Sequence, residues 1–298
     1  MAKTSKPIVR LAGRGRGTPI YLVHAIGGDV GFFSHFAEMV ADERVVYGIQ
    51  VPSDKVTAEF GASIYAIAEY YVDAITLLQP EGPVILGGWS VGSNITLEMA
   101  QILKRRGREV SLLISFDGIL YHTEAKISAW SPRYLSDLLA NVRHWLDDAR
   151  AHRLGVEMTL RRLYRDWKVA WACWAIERRT GGNISDAFLE EKAWPAKRLP
   201  LIRSLYRAVE VYDPKPYDGR VLVYLATIQS LFHLWQNQAC WSKVAPAADF
   251  HSVYCMHGNM FEPELAKEMG LYLRQYLSTL PGQAKPVLKQ VADSEAAG

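Results

Sequence analysis

The sequence predicts an α/β protein, a mostly parallel sheet flanked by helices and interrupted by one large helical insertion. Three observations carry this reading. Short β-rich runs alternate with long amphipathic stretches, the pattern of parallel strands joined by crossover helices. One segment, from about residue 120 to 217, breaks the alternation and offers helical patterns alone. Glycines also cluster where a strand runs into a helix, in LGGWSVGSN from Leu86 to Asn94.

Taken in order, residues 1–17 (MAKTSKPIVRLAGRGRG) are basic and lack the apolar core of a secretory signal, so a flexible N-terminal segment is expected. The strand candidates are Ile20–Val23, Val45–Val51, Val84–Gly87, Leu112–Phe116, Val221–Ala226 and Ser252–Cys255. Ile64 to Leu78 carries apolar residues at helical spacing, and Asn94 to Arg106 does likewise before stopping at Gly107, a C-cap residue. Leu265 to Leu277 reads as a closing helix, and residues 281–298 as a flexible tail. The core is thus expected from residues 18–119 and 218–280, with 120–217 inserted as a lid. That lid holds six of the nine tryptophans. Trp167, Trp171 and Trp174 fall at i, i+4 and i+7 and share one helix face. The stripe either packs the lid on the body or walls an apolar substrate channel. Trp89, inside the glycine cluster, is a further candidate for the pocket wall.

Composition narrows the partners. A hydrophobic content of 49% against 22% charged residues is that of a globular chain with a sizeable core. A net charge of +3 is too balanced to argue for nucleic acid. No stretch approaches 18 uninterrupted apolar residues, so no membrane span is expected. The three cysteines, Cys173, Cys240 and Cys255, are odd in number and lack CxxC spacing. Buried thiols in a reducing, cytoplasmic setting are expected. No His/Cys/carboxylate cluster has metal-ligand spacing, and no cofactor is called for.

The chemistry centres on Gly88-Trp89-Ser90-Val91-Gly92, a Gly-x-Ser-x-Gly turn that exposes a nucleophilic serine between strand and helix. A serine hydroxyl needs a base to take its proton and a third group to orient that base. In the α/β-hydrolase arrangement these follow in the order Ser, acid, His, at the C-terminal ends of strands. Asp117 stands at the end of the strand Leu112–Phe116, and His257 follows the last strand. The usual later position for the acid is empty, because Thr227 to Val244 contains no Asp or Glu. His251 would sit at the wrong end of its strand, His233 is the main rival base, and His24 comes too early and is expected to be structural. The oxyanion needs amides. Val91 supplies one at the helix N-terminus, and Ala25, with Ile26 next in line, supplies the other from the turn His24-Ala25-Ile26-Gly27-Gly28.

The segments PIYLVHAIGGDVGFF, VVYGIQVP, the run from SIYAIAEYYV to GGWSVGSNITLEMAQIL, YDPKPYDGRVLVYLAT and HGNMFEPELAKEM resemble the thioesterase domains that end non-ribosomal peptide and polyketide synthetase assembly lines. The resemblance runs from about residue 18 to 279 and is weak through the lid. It implies an α/β-hydrolase fold and attack by Ser90 on an acyl thioester held on the phosphopantetheine arm of an acyl or peptidyl carrier protein. The acyl-enzyme would then pass to water or to an internal amine or hydroxyl. A long lid points to product release, and the lack of extra dimerising helices to a monomer. Where many members have a glycine and an alanine after the elbow, this chain has Ser93-Asn94, expected to tune the pocket floor or cap the helix. Lys104-Arg105-Arg106-Gly107-Arg108, and Arg161-Arg162 with Arg165 and Lys168, are either docking cations for an acidic carrier or solvated helix faces. A general esterase, lipase or amidase, or a non-catalytic ligand-binding relative, are the alternatives to be separated by turnover.

Overall fold

The computed structural model describes residues 6–42, 44–120, 132–151, 160–161, 163–164, 167–168, 194–229 and 237–279. Its strands are β1 (Ile8–Ala12), β2 (Gly17–Val23), β3 (Arg44–Ile49), β4 (Val84–Trp89), β5 (Val110–Phe116), β6 (Val221–Ile228) and β7 (Asp249–Met256). They form one sheet in the order β1-β3-β2-β4-β5-β6-β7. Only β1 is antiparallel to its neighbour; the other pairs are parallel. Strands buried on both faces read as near-continuous apolar runs, and Ile20–Val23 and Val84–Leu86 are completely buried.

Helices cover both faces. They are α1 (Ser34–Val40), α2 (Ile64–Leu78), α3 (Val91–Arg105), α4 (Pro132–Ala151), α5 (Leu199–Val211), α6 (Asn237–Val244) and α7 (Pro263–Ser278). The apolar sides of α2, α3 and α5 share one core layer, and those of α1 and α7 share the other. α2 begins where the Ser63 side chain accepts from the Ala66 amide, and it buries Ile64, Ile67, Ala68, Tyr71, Val72 and Ile75, a helical stripe. α3 ends as expected at Gly107, whose φ of +72° lets Gly107 N bond Lys104 O and Arg108 N bond Leu103 O. That pair of bonds satisfies two orphan carbonyls at once.

Two features differ from expectation. Residues 8–12, inside the segment expected to be flexible, form β1, paired with β3 in the register Ile8↔Ile49 to Ala12↔Val46. Arg10 interrupts the apolar run and Gly13, at φ +80°, ends it, so the strand signal is short. In the region read as a lid, α5 buries Leu201, Leu205, Ala208 and Val209 in the core layer it shares with α2 and α3. α4 reaches the sheet at the end of β6, where the Gln229 amide donates to Asn141 Oδ1 at 2.8 Å.

Candidate active site

The order of strands reverses between β2 and β4: β3 lies on one side of β2 while β4, β5, β6 and β7 run out on the other. In open parallel sheets ligands bind at this switch point, beyond the carboxyl ends of the strands. Ala25 and Ile26 follow β2, Ser90 follows β4, Asp117 follows β5 and His257 follows β7, all at that edge.

Ser90 has φ 57° and ψ −121°, between β4 and α3. It and Asp117, at φ 49°, are the two non-glycine residues with positive φ among those described. Such conformations cost about 1–3 kcal/mol each and persist where the surroundings impose them. For Ser90 the surroundings are visible. A Cβ on Gly88 would lie 2.2 Å from the backbone of Gly92, and one on Gly92 would lie 2.6 Å from the His24 carbonyl oxygen. Only glycine at both positions lets α3 pack this closely on β2 and β4, and that contact turns the chain sharply at Ser90.

Asp117 is buried, and its carboxylate is held at both oxygens. Oδ1 accepts from the Ala226 amide at 3.2 Å and from Asn237 Nδ2 at 3.0 Å. Oδ2 lies 2.8 Å from His257 Nδ1. A carboxylate only accepts, so Nδ1 carries the hydrogen and Nε2 is left as the basic nitrogen. The His257 ring is half-exposed and rests beside Trp89, their centroids 5.6 Å apart, so the imidazole lies alongside the elbow. Trp89 in turn packs on Phe32 and Phe261. It thus supports the histidine from the body of the protein. Asn259, whose Oδ1 accepts from the Met256 amide, closes the turn that carries His257.

The side chains of Ser93 and Asn94 bond to neighbouring elements rather than cap the helix. Both are buried. Gly118 N donates to Ser115 Oγ, Ser115 Oγ donates to Ser93 Oγ at 3.0 Å, and Ser93 Oγ donates to Gly88 O at 2.7 Å. Asn94 Nδ2 donates to Ile119 O. The two polar residues therefore stitch the elbow to the turn that bears Asp117.

His24 is structural, as expected, and its contacts are informative. Nδ1 lies 2.6 Å from Ala25 O, which can only accept, so Nδ1 carries the hydrogen and Nε2 accepts from Tyr71 Oη at 2.7 Å. Complete burial, opposed by the Ala25 carbonyl, lowers its pKa to about 4. The folded protein therefore holds His24 neutral between about pH 6.5 and 4, where the unfolded chain binds a proton. The associated stability, about 3 kcal/mol, is complete above pH 6.5 and is lost as pH falls toward 4. Urea midpoints at about pH 7 and pH 4.5 are expected to differ more in the wild type than in His24→Gln. Equal differences would show that His24 does not set this slope.

Trp167 is 54% exposed and stacks on Tyr164. Trp171, Trp174, His233, Arg162 and Arg165 lie outside the described residues. His251 stacks on Tyr272 at 3.7 Å, on the α7 face. Burial, and then the negative charge of Asp117, push the Cys255 thiol up to about 12, so it is no nucleophile. The cations at the end of α3 are engaged within the chain. Lys104 pairs with Asp218, Arg105 with Glu98, and Arg106 with Glu69 and Asp73. They also stand a full helix of 15 residues, roughly 20 Å, from Ser90.

A parallel sheet with an elbow serine, and with an acid and a histidine at its carboxyl edge, defines the α/β-hydrolase class. The family model for the thioesterase domain matches residues 18–270, and the chain belongs to that family. A nonribosomal peptide synthetase from Aspergillus terreus is 32% identical over 155 residues, covering 51% of this chain and 16% of that protein. A dimodular nonribosomal peptide synthase from Bacillus subtilis is 24% identical over 264 residues, covering 88% of this chain and 10% of its own length. A probable thioesterase from Glarea lozoyensis is 40% identical over 85 residues, 28% of this chain and 29% of that one. The matches thus span less than a third of each of these relatives. Among solved structures, the NocB thioesterase domain from the nocardicin cluster superposes with a TM-score of 0.55 at 18% identity, covering 92% of this chain and 100% of that one. A four-domain nonribosomal peptide synthetase superposes with a TM-score of 0.61 at 16% identity, over 92% of this chain and 20% of that one. Among the described residues no helix is long and apolar enough to cross a membrane.

Proposed function

We propose that this thioesterase domain releases an acyl, peptidyl or polyketide chain from the phosphopantetheine thioester of a carrier protein, through an acyl-enzyme on Ser90. His257 Nε2 takes the Ser90 proton as Oγ attacks the thioester carbonyl. Asp117 fixes the imidazole tautomer and stabilises the imidazolium. The tetrahedral oxyanion is received by the amides of Val91, in the first turn of α3, and Ile26. What supports Ile26 over Ala25 is the direction of the neighbouring carbonyls. The His24 oxygen crowds Gly92, which turns the Ala25 N–H away from α3. The Ala25 oxygen is held by His24 and by the Gly28 amide, which turns the Ile26 N–H away from the His24 ring. The imidazolium then protonates the departing thiol, and water or an internal nucleophile repeats the sequence on the acyl-enzyme. No cofactor enters these steps. A monomer in the reducing cytoplasm fits the reading.

The single observation that carries it is the 2.8 Å hydrogen bond from His257 Nδ1 to Asp117 Oδ2 beside the elbow. Carrier-bound thioesters are expected to turn over with kcat/KM about 100-fold above oxygen esters of the same acyl group, because binding energy from the carrier and its arm is spent on the reacting centre. Equal rates on the two would favour a general esterase.

A further inference from the structure

We infer that Asn237 is a positioning residue for the Asp117–His257 pair, and that α6 exists at this point in the chain to hold the acid's turn in its strained conformation. The inference rests on the roles given above to Asp117 and His257.

Asp117 is a non-glycine residue at φ 49°, so it stays in place only if its turn is tied down. Backbone ties come from its own amide, which donates to Tyr224 O at 2.8 Å, and from the Gly118 amide on Ser115. Side-chain ties come from α6. Asn237 Nδ2 donates to Asp117 Oδ1 at 3.0 Å, and Trp241 Nε1 donates to Gly118 O at 2.9 Å. These residues are at i and i+4, so both reach from one helix face, and both are buried, Trp241 completely and Asn237 to 97%. The helix thus grips the carboxylate with one residue and the following carbonyl with the other.

The consequence for the base follows from counting acceptors. With Ala226 N–H and Asn237 NH2 both on Oδ1, the carboxylate cannot rotate about its χ2 without breaking two charge-assisted bonds. Oδ2 is thereby left for His257 Nδ1. Asn237 occupies the stretch after β6 that lacks any Asp or Glu. There it supplies a donor to the acid of the preceding strand. What it supplies is the NH2 group, for among the described residues its own buried Oδ1 has no hydrogen-bond partner.

The test compares Asn237→Leu and Asn237→Ser with Asp117→Asn in the full chain, using a synthetic acyl thioester. Asn237→Leu keeps the branched outline, with bulkier methyl ends, and removes the donor; serine is too short to reach Asp117 but is well accepted at the start of a helix, so it guards against misfolding. For both variants kcat is expected to fall about 10- to 100-fold with KM within about threefold, since the loss is of a bond to a charged group that never touches substrate. The downfield proton resonance of His257 Nδ1–H is expected to shift upfield or broaden in both variants. Asn237→Asp places a second carboxylate against the first, so the acidic limb of the kcat/KM profile should move to higher pH. If folded Asn237→Ser retains kcat within twofold and an unchanged Nδ1–H resonance while Asp117→Asn is inactive, this inference is overturned and the acid assignment stands. If Asp117→Asn keeps its activity, the assignment of the acid itself fails.

Discussion

Ser90→Ala is expected to lower kcat on a carrier-bound thioester by about 10⁴-fold or more while leaving the fold intact. Without Oγ no acyl-enzyme can form, and the rate that survives is what oxyanion stabilisation and binding give to direct attack by water. Alanine meets the same steric penalty at φ 57° as serine, because the Cβ is common to both. The thermal midpoint should therefore stay within a few degrees. Intact mass spectrometry should show an acyl adduct on the wild type during turnover and none on the variant. An adduct on Ser90→Ala, or wild-type turnover, would place the nucleophile elsewhere.

Asp117→Asn is expected to cost about 10³- to 10⁴-fold in kcat, for a reason the hydrogen bonds make explicit. Three donors converge on the carboxylate: Ala226 N–H, Asn237 Nδ2–H and His257 Nδ1–H. An amide offers one acceptor oxygen and one NH2. If its NH2 faces Nδ1, the imidazole must take the other tautomer, Nε2 gains the hydrogen, and the base is lost. If its NH2 faces Ala226 and Asn237, donors oppose donors in a buried site, at about 1–3 kcal/mol of stability. The first orientation removes the base; the second keeps the tautomer but loses the negative charge that stabilises the imidazolium, along with the stability. Measuring kcat together with the urea midpoint separates the two arrangements, and a near-normal rate would move the acid to another residue.

Much of this site was readable before any coordinates, and the reason lies in local signals. The elbow announces itself because Gly88 and Gly92 must lack a Cβ, and that requirement is written within five residues. Asp117 and His257 were legible because each follows a compact apolar run at a strand end. α2 matched its expected span, Ile64 to Leu78, because its apolar stripe and its Ser63 cap agree. What escaped depends on contacts between distant parts of the chain. Asn237 lies 120 positions from Asp117, and only the adjacency of β5 and β6 brings α6 onto that turn. The bond between Ser93 and Ser115 arises in the same way, from two elements that run side by side. β1 escaped because pairing with β3, rather than any strong alternation of its own, makes it a strand. The choice of Ile26 in place of Ala25 proposed above rests on the direction of two carbonyls, which no spacing encodes.

The two left-handed backbone positions have one more implication. Both belong to residues at the reactive edge, and both are restrained by contacts from neighbouring strands and helices rather than by their own preferences. The protein therefore keeps its working end in a state that the isolated loops would abandon. Efforts to harden this molecule against heat have room in its edge strand and outer helices, whereas relaxing either of these two turns would trade durability for a blunted catalyst.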